Sequence, residues 1–169
     1  MRLLRILSLC SGLLLAAGTA TAASFVAAPL SGDQEVPARE TKARGNATFD
    51  VSTDGTSLTY KLIVANIDNV IASHIHLGPA GSNGPVVAFL FGAVPPGGGA
   101  SNGVLATGTI TAANLTGPLA GQPFSALLAA MQAGNTYVNV HTDDGTPPTN
   151  TGAGDFPGGE IRSQIRPSE

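Results

Sequence analysis

A period-two alternation of apolar and polar residues runs through most of the chain and predicts short strands rather than helices. Leu58, Tyr60 and Leu62 alternate with Thr59, Lys61 and Ile63, which gives this run one clearly apolar face. Ala47 to Ser52 precedes it, with Asp54-Gly55 between the two runs. Both turn residues tolerate positive φ, so the pair predicts a β-hairpin. Upstream, Phe25 to Leu30 is a short extended segment; Pro29 cannot donate to a ladder, which places that segment at a sheet edge. Downstream, Ile71, Ser73, Ile75 and Leu77 share one face of a strand whose other face carries Ala72, His74 and His76. Val86 to Phe91 is apolar without a break, the pattern of a strand buried on both faces. Val104 to Thr111, Asn135 to Thr142 and Glu160 to Arg166 complete the strand-like runs, and a long polar loop spans 143–159.

One segment departs from this period. Phe124, Leu127, Leu128 and Met131 fall at the spacing of one apolar helical face. Pro123 suits the first helical position and Gly134 the C-terminal cap. About eight short strands and one helix in a connection predict an all-β fold, an antiparallel sandwich or barrel. Composition agrees: 22 Gly, 12 Pro and only 11% charged residues favour many turns over long helices.

Met1 to Ala23 reads as a secretory signal peptide: Arg2 and Arg5, then an apolar core from Ile6 to Ala17, then the small residues Ala20-Thr21-Ala22. Residues 24–169 then form a single domain. Cys10, the only cysteine, leaves with the signal; Leu9 before it is too large for a lipoprotein cleavage site. The mature chain therefore has no disulfide and relies on its own core. Without Arg2 and Arg5 it carries 6 Lys/Arg against 11 Asp/Glu, a net −5. That balance argues against nucleic acid or an anionic membrane surface as partner. No later apolar stretch is long enough to span a membrane as a helix. The expected location is secreted or periplasmic.

The chain has three histidines. His74 and His76 share a strand face, and His141 shares its strand face with Asn139 and Tyr137. If the two strands are neighbours, the three imidazoles can converge on a zinc or copper ion, with Glu160 as a further ligand or as a carboxylate orienting one of the rings. The competing reading is a hydrogen-bonded polar cluster that anchors the loops. Glu35 and Glu160 have no spacing that defines an acid/base pair. No nucleophile elbow or phosphate loop is present in the sequence, so no catalytic residue is assigned. Asp143, Asp144, Asn150 and Asp155 supply oxygen ligands of the kind calcium takes, but not at the spacing of an EF-hand. A solvated acidic loop is the ordinary reading of such a cluster.

Four motifs resemble a known family when taken in order. They are Leu30-Ser31-Gly32-Asp33-Gln34-Glu35-Val36-Pro37; His74-Ile75-His76-Leu77-Gly78 with Gly81-Ser82-Asn83-Gly84-Pro85-Val86-Val87; Tyr137-Val138-Asn139-Val140-His141-Thr142; and Gly159-Glu160-Ile161-Arg162-Ser163-Gln164-Ile165. Together they are similar to the CHRD (chordin-type) domain of secreted proteins. The resemblance spans nearly the whole mature chain and implies an extracellular domain of immunoglobulin-like β architecture. It implies no settled activity. Ser73 stands where the family usually has alanine and Ser163 where it usually has glycine, and the loop over 143–158 is longer than the family's. Two functions follow as expectations. One is a non-enzymatic exported binding or structural module whose loops recognise a protein or a cell-surface polymer. The other is a zinc- or copper-binding protein, for metal handling or redox chemistry, using His74, His76 and His141.

Overall fold

The computed structural model describes residues 23–168. The expected signal peptide and Cys10 lie outside them, except for Ala23. The strands are β1 (Ser24–Leu30), β2 (Arg44–Val51), β3 (Ser57–Asp68), β4 (Val70–Leu77), β5 (Val86–Gly92), β6 (Ala100–Thr111), β7 (Thr136–Thr142), β8 (Ile161–Gln164) and β9 (Arg166–Pro167). The helix α1 (Phe124–Gln132) connects β6 to β7. Two antiparallel sheets face each other, one ordered β6-β3-β2-β1-β9 and the other β5-β4-β7-β8. This is the all-β sandwich with one short helix that the pattern predicts.

The sequence reasons for each element hold in most places. The hairpin turns at Asp54-Gly55 and closes in the register Val51↔Leu58. Gly55 takes φ +70°, and Asp54 Oδ1 accepts from Ser52 Oγ and from Thr56 N. Pro123 sits one position earlier than expected, as the N-cap of α1, and Gly134 follows the C-cap with φ +69°. Phe124, Leu127 and Met131 bury the expected helical face.

Three expectations are corrected. β5 is not buried on both faces: it is the edge of its sheet, and Phe89 is 53% exposed. An unbroken apolar run marks burial of one face at least, and here Ala88 and Leu90 are buried while the exposed Phe89 lies against His74. β1 is not a bare edge strand, since β9 pairs with Phe25 and Val26. Pro29 lies beyond that short pairing, where its missing N–H interrupts no ladder. The closing run is split between the sheets: β8 ends at Gln164, and β9 begins at Arg166 in the opposite sheet.

The core lies between the sheets. Ala47, Phe49, Leu58 and Leu62 of the five-stranded sheet pack with Ile75, Val138, Val140 and Ile161 of the four-stranded one. Fully burying each of the larger of these side chains, Ala47 excepted, contributes roughly 1.5–3 kcal/mol. Ser73 is buried on this inner face, and its hydroxyl donates to Asn139 O at 2.7 Å, so serine fits where alanine is usual. At one margin the sheets are joined by a reciprocal pair, Ser31 N to Arg162 O and Arg162 N to Ser31 O, both 3.1 Å. Elsewhere Tyr60 Oη donates to Leu90 O at 2.7 Å, linking the two sheets directly. Tyr60→Phe should keep the fold and lose about 0.5–1.5 kcal/mol of stability in a urea titration, the net worth of one such bond.

Candidate functional site

The outer face of the four-stranded sheet is where the fold gathers its polar side chains. Pairing β4 with β7 sets His74 opposite Asn139, His76 opposite Tyr137 and Ala72 opposite His141. Pairing β7 with β8 sets Arg162 opposite Asn139 and Gln164 opposite Tyr137. All of these project outward, away from Ile75, Val138 and Val140. Three connections border this face: the turn around Glu35, the loop 78–85 and the loop 143–160. The sandwich therefore brings together the three histidines that the sequence placed on two strands.

Their geometry is close. One ring nitrogen from each of His74, His76 and His141 lies within 4.8 Å of the others. His74 Nδ1 is 3.0 Å from His141 Nε2. His141 Nδ1 faces Pro157 O at 2.8 Å, and His76 Nδ1 faces Gly84 O at 2.8 Å. A carbonyl only accepts, so both of these Nδ1 atoms carry the proton. That fixes the tautomer, leaving His141 Nε2 with a lone pair toward His74 and leaving His76 Nε2 buried without a partner. Backbone carbonyls holding the far nitrogens of two imidazoles are the usual support of metal-ligating histidines. Three nitrogens around one tetrahedral ion would stand roughly 3.3 Å apart at Zn–N of about 2.0–2.1 Å. His74 Nδ1 and His141 Nε2, 3.0 Å apart, already stand near that spacing, and the widest separation, within 4.8 Å, would have to close by up to about 1.5 Å. His74 also meets the edge of Phe89, centroid to centroid 4.7 Å.

All three imidazoles are held neutral. Burial lowers the pKa of His74 to about 4, helped by His141 and His76 beside it. Burial also lowers His76 and His141, against the raising effect of their carbonyl contacts. A neutral ring is the form that binds a metal, so binding here requires no loss of an imidazolium proton at neutral pH.

Glu160 is not part of this cluster. Its carboxylate accepts from Thr41 Oγ1 and Thr142 Oγ1 at 2.5 and 2.7 Å and from Gly154 N at 2.8 Å. Glu160 lies just before β8, and its carboxylate turns to Thr41 and Thr142 rather than to the histidines. Glu160 ties the long loop to the sandwich instead.

The carboxylate that does adjoin the polar face is Glu35, which the sequence offers only as a turn residue. It is 6% exposed, and its Oε1 is buried without a hydrogen bond, as is Asn139 Oδ1 nearby. Burial pushes the Glu35 carboxyl up to about 7, opposed by Arg162 and Arg39. Arg162 is buried with its guanidinium 3.4 Å from the centre of the Tyr137 ring, and Tyr137 stacks in turn on His76 at 4.8 Å. The same guanidinium donates to Pro79 O, Ser82 O and Asn83 Oδ1, and so holds the loop that supplies Gly84 O to His76. Strand alternation puts Asn139 and Arg162 on the histidine face. Glu35 arrives from the opposite end of the chain and leaves no comparable signal.

A cleft of about 250 Å³ lined by Asp33, Glu35, Gly81, Arg162 and Gln164 opens beside this cluster. A larger cleft, about 790 Å³, lies among Glu40, Lys42, Asn66, Asp68 and Asn102 and includes none of the histidines. No helix among the described residues is long and apolar enough to cross a membrane.

A family model described as the CHRD domain matches residues 26–165. No curated protein and no solved structure matches the chain.

Two predictions follow from the buried groups. The depressed pKa of His74 makes the unfolded chain bind more protons than the folded one between about pH 6.5 and 4, so its contribution to stability is lost as pH falls through that window, and the lowered His76 and His141 act in the same direction. Glu35 acts in the opposite sense. Its raised pKa stabilises the fold below about 4.5, and that contribution is lost as pH rises to about 7. Thermal melts across pH 4–7 should show a flatter acid limb in His74→Gln and a steeper one in Glu35→Gln. Separately, a Cβ at Gly159 would lie 2.6 Å from Glu35 Oε1 and 2.8 Å from Asn139 Nδ2. Gly159→Ala should cost about 1–3 kcal/mol in chemical denaturation, the usual range for overpacking a filled site.

Proposed function

The chain belongs to the CHRD domain family, and from that premise we propose that it is an exported, non-enzymatic module whose His74, His76 and His141 bind one zinc or copper ion. One observation carries this reading. Three neutral imidazoles lie with ring nitrogens within 4.8 Å of one another, two of them aligned by backbone carbonyls at their far nitrogens. A network built only to anchor loops accounts for the two carbonyl contacts. It does not account for the buried, unpartnered Nε2 of His76, which costs roughly 1–3 kcal/mol if left without a partner. A metal ion relieves that cost.

The donor set suits the ions named. Imidazole is a good ligand for both zinc and copper, and there is no thiolate or carboxylate in the cluster to favour one of them. Three protein ligands leave a fourth position open to water or to a partner's group. Partly exposed His74, beside the exposed ring of Phe89, gives that position a route to solvent. The leader-like sequence at residues 1–23, of which all but Ala23 lie outside the described residues, supports export.

Elemental analysis of the protein, purified without chelator or immobilised metal and then reconstituted with Zn²⁺ or Cu²⁺, tests the reading. The expected result is close to one ion per chain, lost in His74→Ala/His76→Ala. A reconstituted protein with no bound metal would leave the polar network as the role of these histidines. A second variant addresses orientation. A Cβ at Gly84 would meet Leu77 O at 1.8 Å, so Gly84→Ala must shift the carbonyl that holds His76. Metal affinity should fall about 10–100-fold in a competition titration, as it does when the groups orienting a metal-bound histidine are removed.

A further inference from the structure

We propose that the loop between β7 and β8 binds a calcium ion through Asp143, Asp144 and Asp155, at a site separate from the histidine cluster. One carboxylate oxygen from each of the three lies within 4.8 Å of the others. Each aspartate also holds the loop through a neutral donor. Asp143 Oδ1 accepts from Gly145 N at 2.7 Å, and Asp144 Oδ1 from Thr146 N at 2.7 Å. Asp155 Oδ2 accepts from Thr151 N at 2.9 Å and from Thr151 Oγ1 at 2.8 Å. No positive charge is among these partners, so the hydrogen bonds shape the loop without neutralising it.

The decisive atom is Asp155 Oδ1. Asp155 is 2% exposed, and this oxygen is buried with no hydrogen-bond donor. An unpartnered buried carboxylate oxygen is costly, and two further carboxylates beside it add like-charge repulsion. A cation held among the three, with Asp155 Oδ1 as one of its ligands, removes both costs. It also explains why a surface loop buries an aspartate that nothing in the protein satisfies on one side.

Oxygen-only donors on a turn-rich loop fit Ca²⁺. Zinc and copper favour nitrogen and sulfur, and Mg²⁺ demands near-octahedral geometry at about 2.0–2.1 Å that a loop of this kind does not fix in advance. Backbone carbonyls and water would complete the 6–8 ligands that calcium takes. Three carboxylates, one of them on an exposed residue, place the dissociation constant at about 10⁻⁴–10⁻³ M, the range of extracellular calcium modules. The same loop carries Pro157, whose carbonyl holds His141, and Phe156, whose N–H donates to Thr142 Oγ1 at 3.0 Å. Calcium therefore fastens the segment that covers one side of the polar face. Its binding does not depend on whether the histidines take a metal.

Isothermal titration of the purified protein with CaCl₂ after EGTA treatment and desalting, together with thermal melts, tests this. One saturable site and a Tm rise of roughly 3–10 °C at about 10 mM Ca²⁺ are expected. Mg²⁺ at the same concentration should give a clearly smaller rise. Asp144→Asn, at an exposed position, should weaken Ca²⁺ binding at least about 5-fold while the Ca²⁺-free Tm stays near wild type. Asp155→Asn should remove binding, and the Asp144 variant carries the test if Asp155→Asn does not fold. Absence of both heat and thermal shift overturns the proposal. So does an equal response to Mg²⁺, or wild-type Ca²⁺ affinity in Asp144→Asn.

Discussion

The buried guanidinium of Arg162 is the constraint on which the functional face depends. A charged group with almost no exposure is tolerated only when its donors are satisfied and its charge is compensated. Arg162 meets both conditions outside its own strand. It lies over the Tyr137 ring and donates to two carbonyls and one side-chain amide of the loop 78–85. Asn83 of that loop donates in turn to Val36 O at 2.6 Å, next to Glu35. One cation thus ties the turn near the start of the domain to the loop after the histidine strand. Removing it would leave the loop carbonyls and the Tyr137 face without their partner at once, so its effect should not divide into independent contacts.

That arrangement fixes an order of support. The inner face of the four-stranded sheet is apolar and rigid, which sets the strand register. Register then sets which side chains share the outer face, because a slip of one residue would turn His74, His76 and His141 into the core. Loops anchored by Arg162, Glu160 and Asn83 close over that face and present carbonyls to the imidazoles. The histidines are thereby desolvated and neutral, while Glu35 on the same side is desolvated and partly protonated near neutral pH. Opposite shifts in neighbouring groups are the pattern of a site whose protonation is set by burial rather than by ion pairing.

The two carboxylate-rich regions do different work. Glu160 has both oxygens satisfied by hydroxyl and amide donors and acts as a buried fastener for the long loop. Asp155, five residues earlier in the chain, has one oxygen satisfied and one bare. Both sit in a connection that joins adjacent antiparallel strands, a place where a short turn would suffice. Its length brings Pro157 to His141, Glu160 to Thr142 and three aspartates to one another, and none of these contacts could come from a tight hairpin.

Much of this was legible in the residues. The Asp54-Gly55 hairpin, the helical spacing from Phe124 to Met131 and the shared face of His74 and His76 are local periodicities, and local geometry alone produces them. Four ordered motifs also sufficed for the family. The rest required the chain to fold. An unbroken apolar run such as Val86 to Phe91 has the same pattern whether its strand is central or at an edge, so only strand order exposes Phe89. Glu160 shares a parity with Arg162, yet it lies before β8 and its carboxylate is drawn to Thr41 and Thr142. Glu35 reaches the polar face from more than a hundred residues before Asn139, across two sheets. Sequence determined which side chains share a strand face, because alternation is a property of the backbone. Tertiary structure decided which of those faces meet and which buried atoms are left without partners, because that depends on strand order and loop closure.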